Sequence, residues 1–340
     1  MKQAIMLKPG EIVFQDVPVP AVGSKQIKVK MLKIGVCGSD IHVWHGKHPY
    51  TSYPVVQGHE MSARVVEAGR EVTNVKVGDL VTIQPQVVCG KCYPCTHGLY
   101  NDCNELKVMG FQTTGMASEY FVADAEKALK LPADMNYEHG AMIEPLAVAC
   151  HAVSRYGGVS GKNAVVIGGG PIGNLVAQVL LARGANKVLL SEVSAYRLET
   201  AKKCGVSTVN PTEKLLQDAI FQSFGSDAAD VIFECIGSPA TIKEAVQFAR
   251  KGSTIIVVGV VPDLAPVNMG FVQDHELSII GSAMYQTNDY LSAIELVGQG
   301  KIAFDALITH HVAFSKYPDA YRLIEEQRDK AMKVMIDMSK

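Results

Sequence analysis

The sequence predicts an α/β protein in two parts: a mostly-β part, then a doubly wound parallel sheet. Three observations predict it. Residues 1–150 break into short runs with strand periodicity, separated by Pro, Gly and Asn. From residue 161 on, short runs rich in β-branched residues alternate with helical segments, the mark of a parallel sheet covered on both faces. A glycine cluster stands between the first of those runs and the first of those helices.

The elements follow in order. Residues 26–32 alternate polar and apolar, as a half-buried strand does, and 61–68 do so in part. Residues 77–83 read as a turn running into a strand. In the second part, strands at 164–167, 188–190, 230–233 and 254–258 alternate with helices at 172–183, 197–204 and 241–250. The remainder holds helices at 290–298 and 317–326 and strands at 306–308 and 332–338. A chain of 340 residues exceeds one ordinary core, so two domains are expected.

Charge narrows the function classes. Lys and Arg total 32 against 34 Asp and Glu, mixed along the chain, with no basic excess or stripe of the kind nucleic-acid binders carry. No apolar stretch reaches the roughly 18 residues of a membrane helix, and the N-terminus lacks a signal-peptide core. The expected setting is the cytoplasm, with a small-molecule partner and neither nucleic acid nor membrane. Disulfides are rare there, so clustered cysteines among the 8 point to metal.

Gly168-Gly169-Gly170-Pro171-Ile172-Gly173 fits G-x-G-x-x-G between a buried strand and a helix. Gly168 permits a tight turn, Gly170 close approach of backbone to a pyrophosphate, and Gly173 close packing of helix on strand. Pro171 and Ile172 open the helix, whose free N–H groups face the phosphates. Glu192, directly after the second strand, is placed to accept from ribose hydroxyls and repel a 2′-phosphate, which favours NAD over NADP. Arg197, five residues on, either softens that preference or stacks on adenine. A plain turn with a surface glutamate is the competing reading.

Cys89, Cys92, Cys95 and Cys103 form C-x₂-C-x₂-C-x₇-C, a spacing that lets four thiolates surround one structural Zn²⁺. An iron–sulfur cluster and disulfides or free thiols are the alternatives. A second constellation is Cys37-Gly38-Ser39-Asp40-Ile41-His42, then Gly58-His59-Glu60, then Glu144-Pro145. One thiolate, one imidazole and carboxylates can hold a zinc and leave a position for substrate, with Glu60 and Glu144 in alternation. Ser39 and His42 suit a proton relay to solvent, and Asp40 can orient a zinc ligand. Taken singly, each has a structural alternative: a buried cysteine, a loop histidine, a glutamate at a helix N-terminus.

With these motifs in order over nearly its whole length, the chain resembles the zinc-containing medium-chain dehydrogenase/reductase superfamily, in its sorbitol dehydrogenase and threonine 3-dehydrogenase branch. CGSD at Cys37, GHE at Gly58, the four-cysteine lobe, the Glu144 to Val148 segment and the glycine fingerprint carry the likeness. The resemblance implies a GroES-like catalytic domain with two zinc sites (1–150 and 286–340) and a Rossmann NAD-binding domain (151–285), the active site lying between them. It also implies Cys37, His59 and Glu60 as catalytic-zinc ligands with Glu144 fourth or exchanging. A homo-oligomer is implied, tetramer more than dimer.

Two departures bear on substrate. Polyol enzymes often carry Arg-Tyr where this chain has Met284-Tyr285. The segment from Trp44 to Pro54 is similar to bacterial sugar-acid and hexonate oxidoreductases, and Lys47, His45 and His48 would suit a substrate carboxylate or phosphate unless they are solvated loop residues. The expected function is oxidation of a secondary alcohol of a polyol or sugar acid by NAD. The alternatives are L-threonine 3-dehydrogenase and a non-catalytic nucleotide-binding or sensing protein.

Overall fold

A computed structural model describes residues 1–262 and 264–339. Two compact units form among the described residues: one spans residues 1–144 and 308–339, the other lies between them in the chain, from 145 to 307. The boundaries differ from the expected 150/151 and 285/286. Within the second unit the helix Ile143–Tyr156 is tied to the helix Thr287–Gly298 and its surroundings. His151 Nδ1 lies 2.8 Å from Asp289 Oδ2, and Arg183 bonds both Ser154 Oγ and Ser292 Oγ. Residues 286–307 therefore stay with the parallel sheet.

The first unit is built on a seven-stranded sheet. Its order is Ile308–Ala313, Lys333–Asp337, Gln26–Val36, Glu60–Ala68, Leu80–Ile83 and Ala128–Lys130, with Tyr120–Asp124 also pairing to Gln26–Val36. Ile308–Ala313 runs parallel to Lys333–Asp337; the other pairs are antiparallel. The last strand thus lies against the strand that leads into Cys37, with Val334 opposite Val36 and Ile336 opposite Ile34. Ile27, Val29, Ile34, Met61, Ala63 and Val81 are among its fully buried residues. At about 25 cal/mol per Å² of apolar surface removed from water, burial of this kind is what holds the sheet and its covering helices together.

The second unit is a six-stranded, wholly parallel sheet ordered Ser207–Val209, Lys187–Ser191, Asn163–Ile167, Val231–Glu234, Thr254–Val257 and Ser278–Gly281. In chain order that is 3-2-1-4-5-6, the doubly wound arrangement of dinucleotide-binding folds. Strand order reverses beside Asn163–Ile167, so the loop after it opens at the topological switch point. The expected fold class is observed. Several elements were not expected: Lys2–Lys8 with Glu11–Asp16, the helix Leu216–Phe224 and the strand Ser278–Gly281. The last of these pairs on one side only, with an exposed Ile279, and carries little of the buried periodicity that reveals a strand.

No helix among the described residues is long and apolar enough to cross a membrane.

Candidate active site

Cys37, His59 and Glu60 are brought together by strand pairing. Cys37 follows the strand Gln26–Val36 and caps the helix Gly38–Trp44; Glu60 opens the neighbouring strand opposite Gly35. Their ligand atoms lie within 4.8 Å of one another. A side chain at position 35 could not coexist with this arrangement, because its Cβ would sit 2.3 Å from Glu60 Oε2.

The environment fits a cation. His59 is buried, and its Nδ1 has no hydrogen-bonding partner and stands 3.6 Å from Asp40 Oδ1. Burial alone would lower its pKa, but Asp40 and then the Cys37 thiol outweigh burial and raise it well above the ordinary histidine value. A thiol, an imidazole and a carboxylate are three donors of the kind that hold a catalytic zinc and keep one position open.

Asp40 lies between Cys37 and His59. Oδ2 accepts from Cys37 N at 2.9 Å, and Oδ1 faces the His59 ring. Burial raises its pKa against the opposing pull of His59. Glu144, in the first turn of Ile143–Tyr156, is outside the 4.8 Å group but acts electrostatically on both His59 and Lys333. Ser39 and His42 lie one helical turn apart with no hydrogen bond between them; Ser39 is half-buried and His42 exposed.

Sequence reasoning missed Lys333, Gln57 and Tyr321. Lys333 Nζ lies 2.7 and 2.6 Å from the two Glu60 oxygens and 3.4 Å from Val36 O, with both charged side chains at most 3% exposed. The available signal was a lone lysine inside the apolar run Met332 to Ile336. Gln57 Nε2 donates to Asp40 Oδ1 at 3.0 Å, and Tyr321 OH donates to Gln57 Oε1 at 3.0 Å, so a helix far along the chain braces Asp40. No local pattern announces that contact.

Cys89, Cys92, Cys95 and Cys103 also place their sulfurs within 4.8 Å of one another. Cys103 Sγ accepts from Cys89 N at 3.3 Å and Glu105 N at 3.4 Å. Backbone amides of Asn104 and Cys95 draw the Cys92 pKa down to about 6, while burial and then Cys92 push Cys95 up to about 12. Amides aimed at closely packed sulfurs suit metal-bound thiolates, and four sulfur donors complete a tetrahedral zinc. Among the described residues, this group and the Cys37 group are the two that could hold a metal ion.

In the second unit the fingerprint takes its expected form. Gly168 has φ +103°, and a Cβ on Gly173 would fall 1.9 Å from Gly168 O, so the helix Pro171–Ala182 packs directly on the turn. Gly170 caps that helix, Pro171 begins it and Ile172 follows. Glu192 makes contacts that spacing did not reveal. It accepts from Gly169 N at 2.8 Å, Val193 N at 2.7 Å and Ser194 N at 2.9 Å, and so fastens the glycine turn to the second strand. Arg197 Nη1 is 3.8 Å from Glu192 Oε2.

Lys47, His45 and His48 meet different surroundings. His45 pairs with Glu325 at 2.5 Å, Lys47 is exposed, and His48 packs on Phe111. Tyr285 is buried edge-on against Tyr290 at 5.0 Å, beside Met284 at φ +54°.

Residues 23–133 match the alcohol dehydrogenase GroES-like domain and residues 171–299 the zinc-binding dehydrogenase domain. The chain is 34% identical to a sorbitol dehydrogenase of Halalkalibacterium halodurans over 333 residues, covering 96% of each. It belongs to the zinc-containing medium-chain dehydrogenase superfamily. This zinc-binding dehydrogenase is also 32% identical to an L-threonine 3-dehydrogenase of Pyrococcus horikoshii over 93% of each chain. Its fold matches an Escherichia coli alcohol dehydrogenase, RspB, in complex with NADH, at a TM-score of 0.92 and 31% identity over 99% of both chains. The dehydrogenase is therefore an enzyme of the alcohol or polyol type; polyol and threonine relatives stand at similar identity and leave the substrate to be argued from the site.

Proposed function

We propose that this dehydrogenase oxidises a secondary alcohol of a polyol or sugar acid, with NAD as hydride acceptor. The observation that carries the reading is the convergence of Cys37, His59 and Glu60 within 4.8 Å: three donors where the cysteine lobe supplies four. These three would hold the catalytic zinc, with Glu144 exchanging, and Cys89, Cys92, Cys95 and Cys103 the structural one. Bound there, zinc lowers the pKa of an alcohol that reaches it. Ser39 would take up the hydroxyl proton as its own proton leaves toward solvent, with exposed His42, one helical turn on, as the outer acceptor. Asp40, braced by Gln57, keeps the His59 ring in orientation. Gly168, Gly170 and Gly173 admit the pyrophosphate, and Glu192 takes the ribose.

The test is NADH appearance across polyols, aldonates, their phosphates and threonine, repeated after chelation, with metal analysis alongside. A chelator-sensitive signal with polyols or sugar acids and two zinc ions per chain is expected. Signal with threonine alone would replace this reading by the threonine dehydrogenase, and one zinc with no turnover would leave a non-catalytic nucleotide-binding protein.

Glu192→Ala is expected to raise KM for NAD about tenfold or more and to narrow the preference over NADP, since charge-assisted hydrogen bonds contribute about 1.5–3 kcal/mol. Unchanged KM for both cofactors would remove Glu192 from the site. A homo-oligomer, tetramer more than dimer, belongs to the same reading: Ser278–Gly281 leaves an outer sheet edge that a second copy can cover. Sedimentation equilibrium tests it.

A further inference from the structure

Glu234 is a fully buried carboxylate in the parallel-sheet unit. It ends the strand Val231–Glu234, opposite Ile167 of the strand that leads into the glycine turn. Its oxygens are satisfied by uncharged donors. Oε1 accepts from Ile236 N at 2.9 Å, Gly237 N at 2.9 Å and Thr241 Oγ1 at 2.8 Å, and Oε2 accepts from Gly237 N at 3.1 Å. The Glu234 carbonyl accepts from Val258 N at 2.8 Å and Gly259 N at 3.0 Å. One residue thus fastens the loops that follow two adjacent strands, Val231–Glu234 and Thr254–Val257.

A carboxylate buried this completely is costly unless its lone pairs are filled. Filling them here fixes the shape of a loop. Gly237 has φ +80°, and a Cβ on it would fall 2.2 Å from Val260 O, so the two loops meet backbone to backbone. Ile236 between them is 50% exposed, yet its side chain is seated on the glycine turn: a Cβ on Gly168 would fall 2.6 Å from Ile236 Cγ1. These loops follow the carboxyl ends of strands at the point where strand order reverses, and a dinucleotide binds in the crevice there. Glu192 follows the strand on one side of Asn163–Ile167, and Ile236 follows the strand on the other. The Glu192 side suits the adenosine ribose, which leaves the nicotinamide nucleotide to the side of Ile236.

We propose that Glu234 is a positioning residue for the cofactor: its carboxylate sets the loop 235–238 so that Ile236 forms an apolar wall for the nicotinamide half of the dinucleotide. The proposal rests on the dinucleotide-binding reading of this unit and deepens it. The carboxylate acts through Ile236, since its own oxygens are already taken by Ile236 N, Gly237 N and Thr241 Oγ1.

The test is calorimetric binding of NADH and of AMP, which carries only the adenosine half, to wild type, Glu234→Ala, Glu234→Gln, Ile236→Ala and the double alanine variant. NADH should bind about five- to tenfold more weakly to Glu234→Ala and to Ile236→Ala. The double variant should be no weaker than either single one, because both remove the same wall. Glu234→Gln keeps an accepting oxygen and should recover most of the loss. AMP affinity should stay within about twofold of wild type throughout, a selectivity that a general loosening of the unit would not give. Unchanged NADH affinity, additive losses in the double variant, or NADH and AMP weakened alike would each overturn the positioning role while the cofactor reading stands. If Glu234→Ala does not fold, Thr241→Val decides: it removes one donor to the carboxylate and should weaken NADH about threefold with AMP unchanged, and unaltered NADH binding overturns the proposal. Wild type that binds neither NADH nor AMP overturns both the proposal and the cofactor reading.

Discussion

Cys37→Ala is expected to lower kcat/KM by roughly a thousandfold or more. Lewis-acid assistance contributes several kcal/mol to alkoxide chemistry, and each 1.36 kcal/mol is about a tenfold change in rate. Cys37 supplies the only sulfur in a group whose other members are His59 and Glu60, so its loss leaves an imidazole and a carboxylate that Lys333 already holds. Cys37 also sits on the rim of the buried core rather than in it, half-buried at the start of Gly38–Trp44. Its truncation should therefore leave the fold and the cysteine lobe in place. The measurement is steady-state kinetics beside metal analysis and melting temperature. Two zinc ions falling to one, with turnover lost and melting little changed, is the expected result. Turnover within tenfold of wild type would remove Cys37 from the catalytic site.

Lys333→Met should be the most destabilising single change in the first unit. Lys333 and Glu60 are both buried, and the ammonium contacts both carboxylate oxygens. Removing one partner of such a pair strands the other charge and costs about 3–5 kcal/mol. Glu60→Gln strands the lysine in the same way, so the two losses should be far from additive. The double variant should be more stable than the sum of the singles by about 1–3 kcal/mol. Denaturant unfolding of the four proteins measures this, and additive losses would show that the pair is not coupled.

The pH dependence follows from the direction of the lysine shift. Burial alone would lower the Lys333 pKa, but Glu60 and then Cys37 raise it above the ordinary lysine value. A raised amine pKa contributes stability that is fully present below the unfolded value and is lost as pH rises through the folded one. The lysine's contribution to the gap between wild type and Lys333→Met should accordingly be lost only in strong alkali, above the ordinary lysine value.

Local sequence determined a great deal. Cys89, Cys92, Cys95 and Cys103 are close in sequence, so their spacing alone implies a shared site, and the structure brings their sulfurs together. The turn from Gly168 to Gly173 is likewise local: a strand, a left-handed glycine and a helix that packs on it are all specified within a few residues. The alternation of strands and helices after residue 161 was enough for a parallel sheet, because strands buried on both faces are written as continuous apolar runs. The strand at 332–338 was also legible, but not which strands it pairs with.

Tertiary structure decided the rest. Lys333 meets Glu60 across 273 positions of chain because the last strand pairs with Gln26–Val36, beside Glu60–Ala68. Tyr321 reaches Gln57 across 264 positions. Periodicity tells which face of a strand or helix is buried, but not which distant element covers it. The same limit explains His45, His48 and Lys47. They are neighbours in sequence, yet Glu325 takes one, Phe111 and Thr51 orient another, and the third is left exposed. Which residue types the site would use was fixed by composition and spacing. Which partners each of them meets was decided by long-range pairing, since only that pairing determines what each polar group has already bonded.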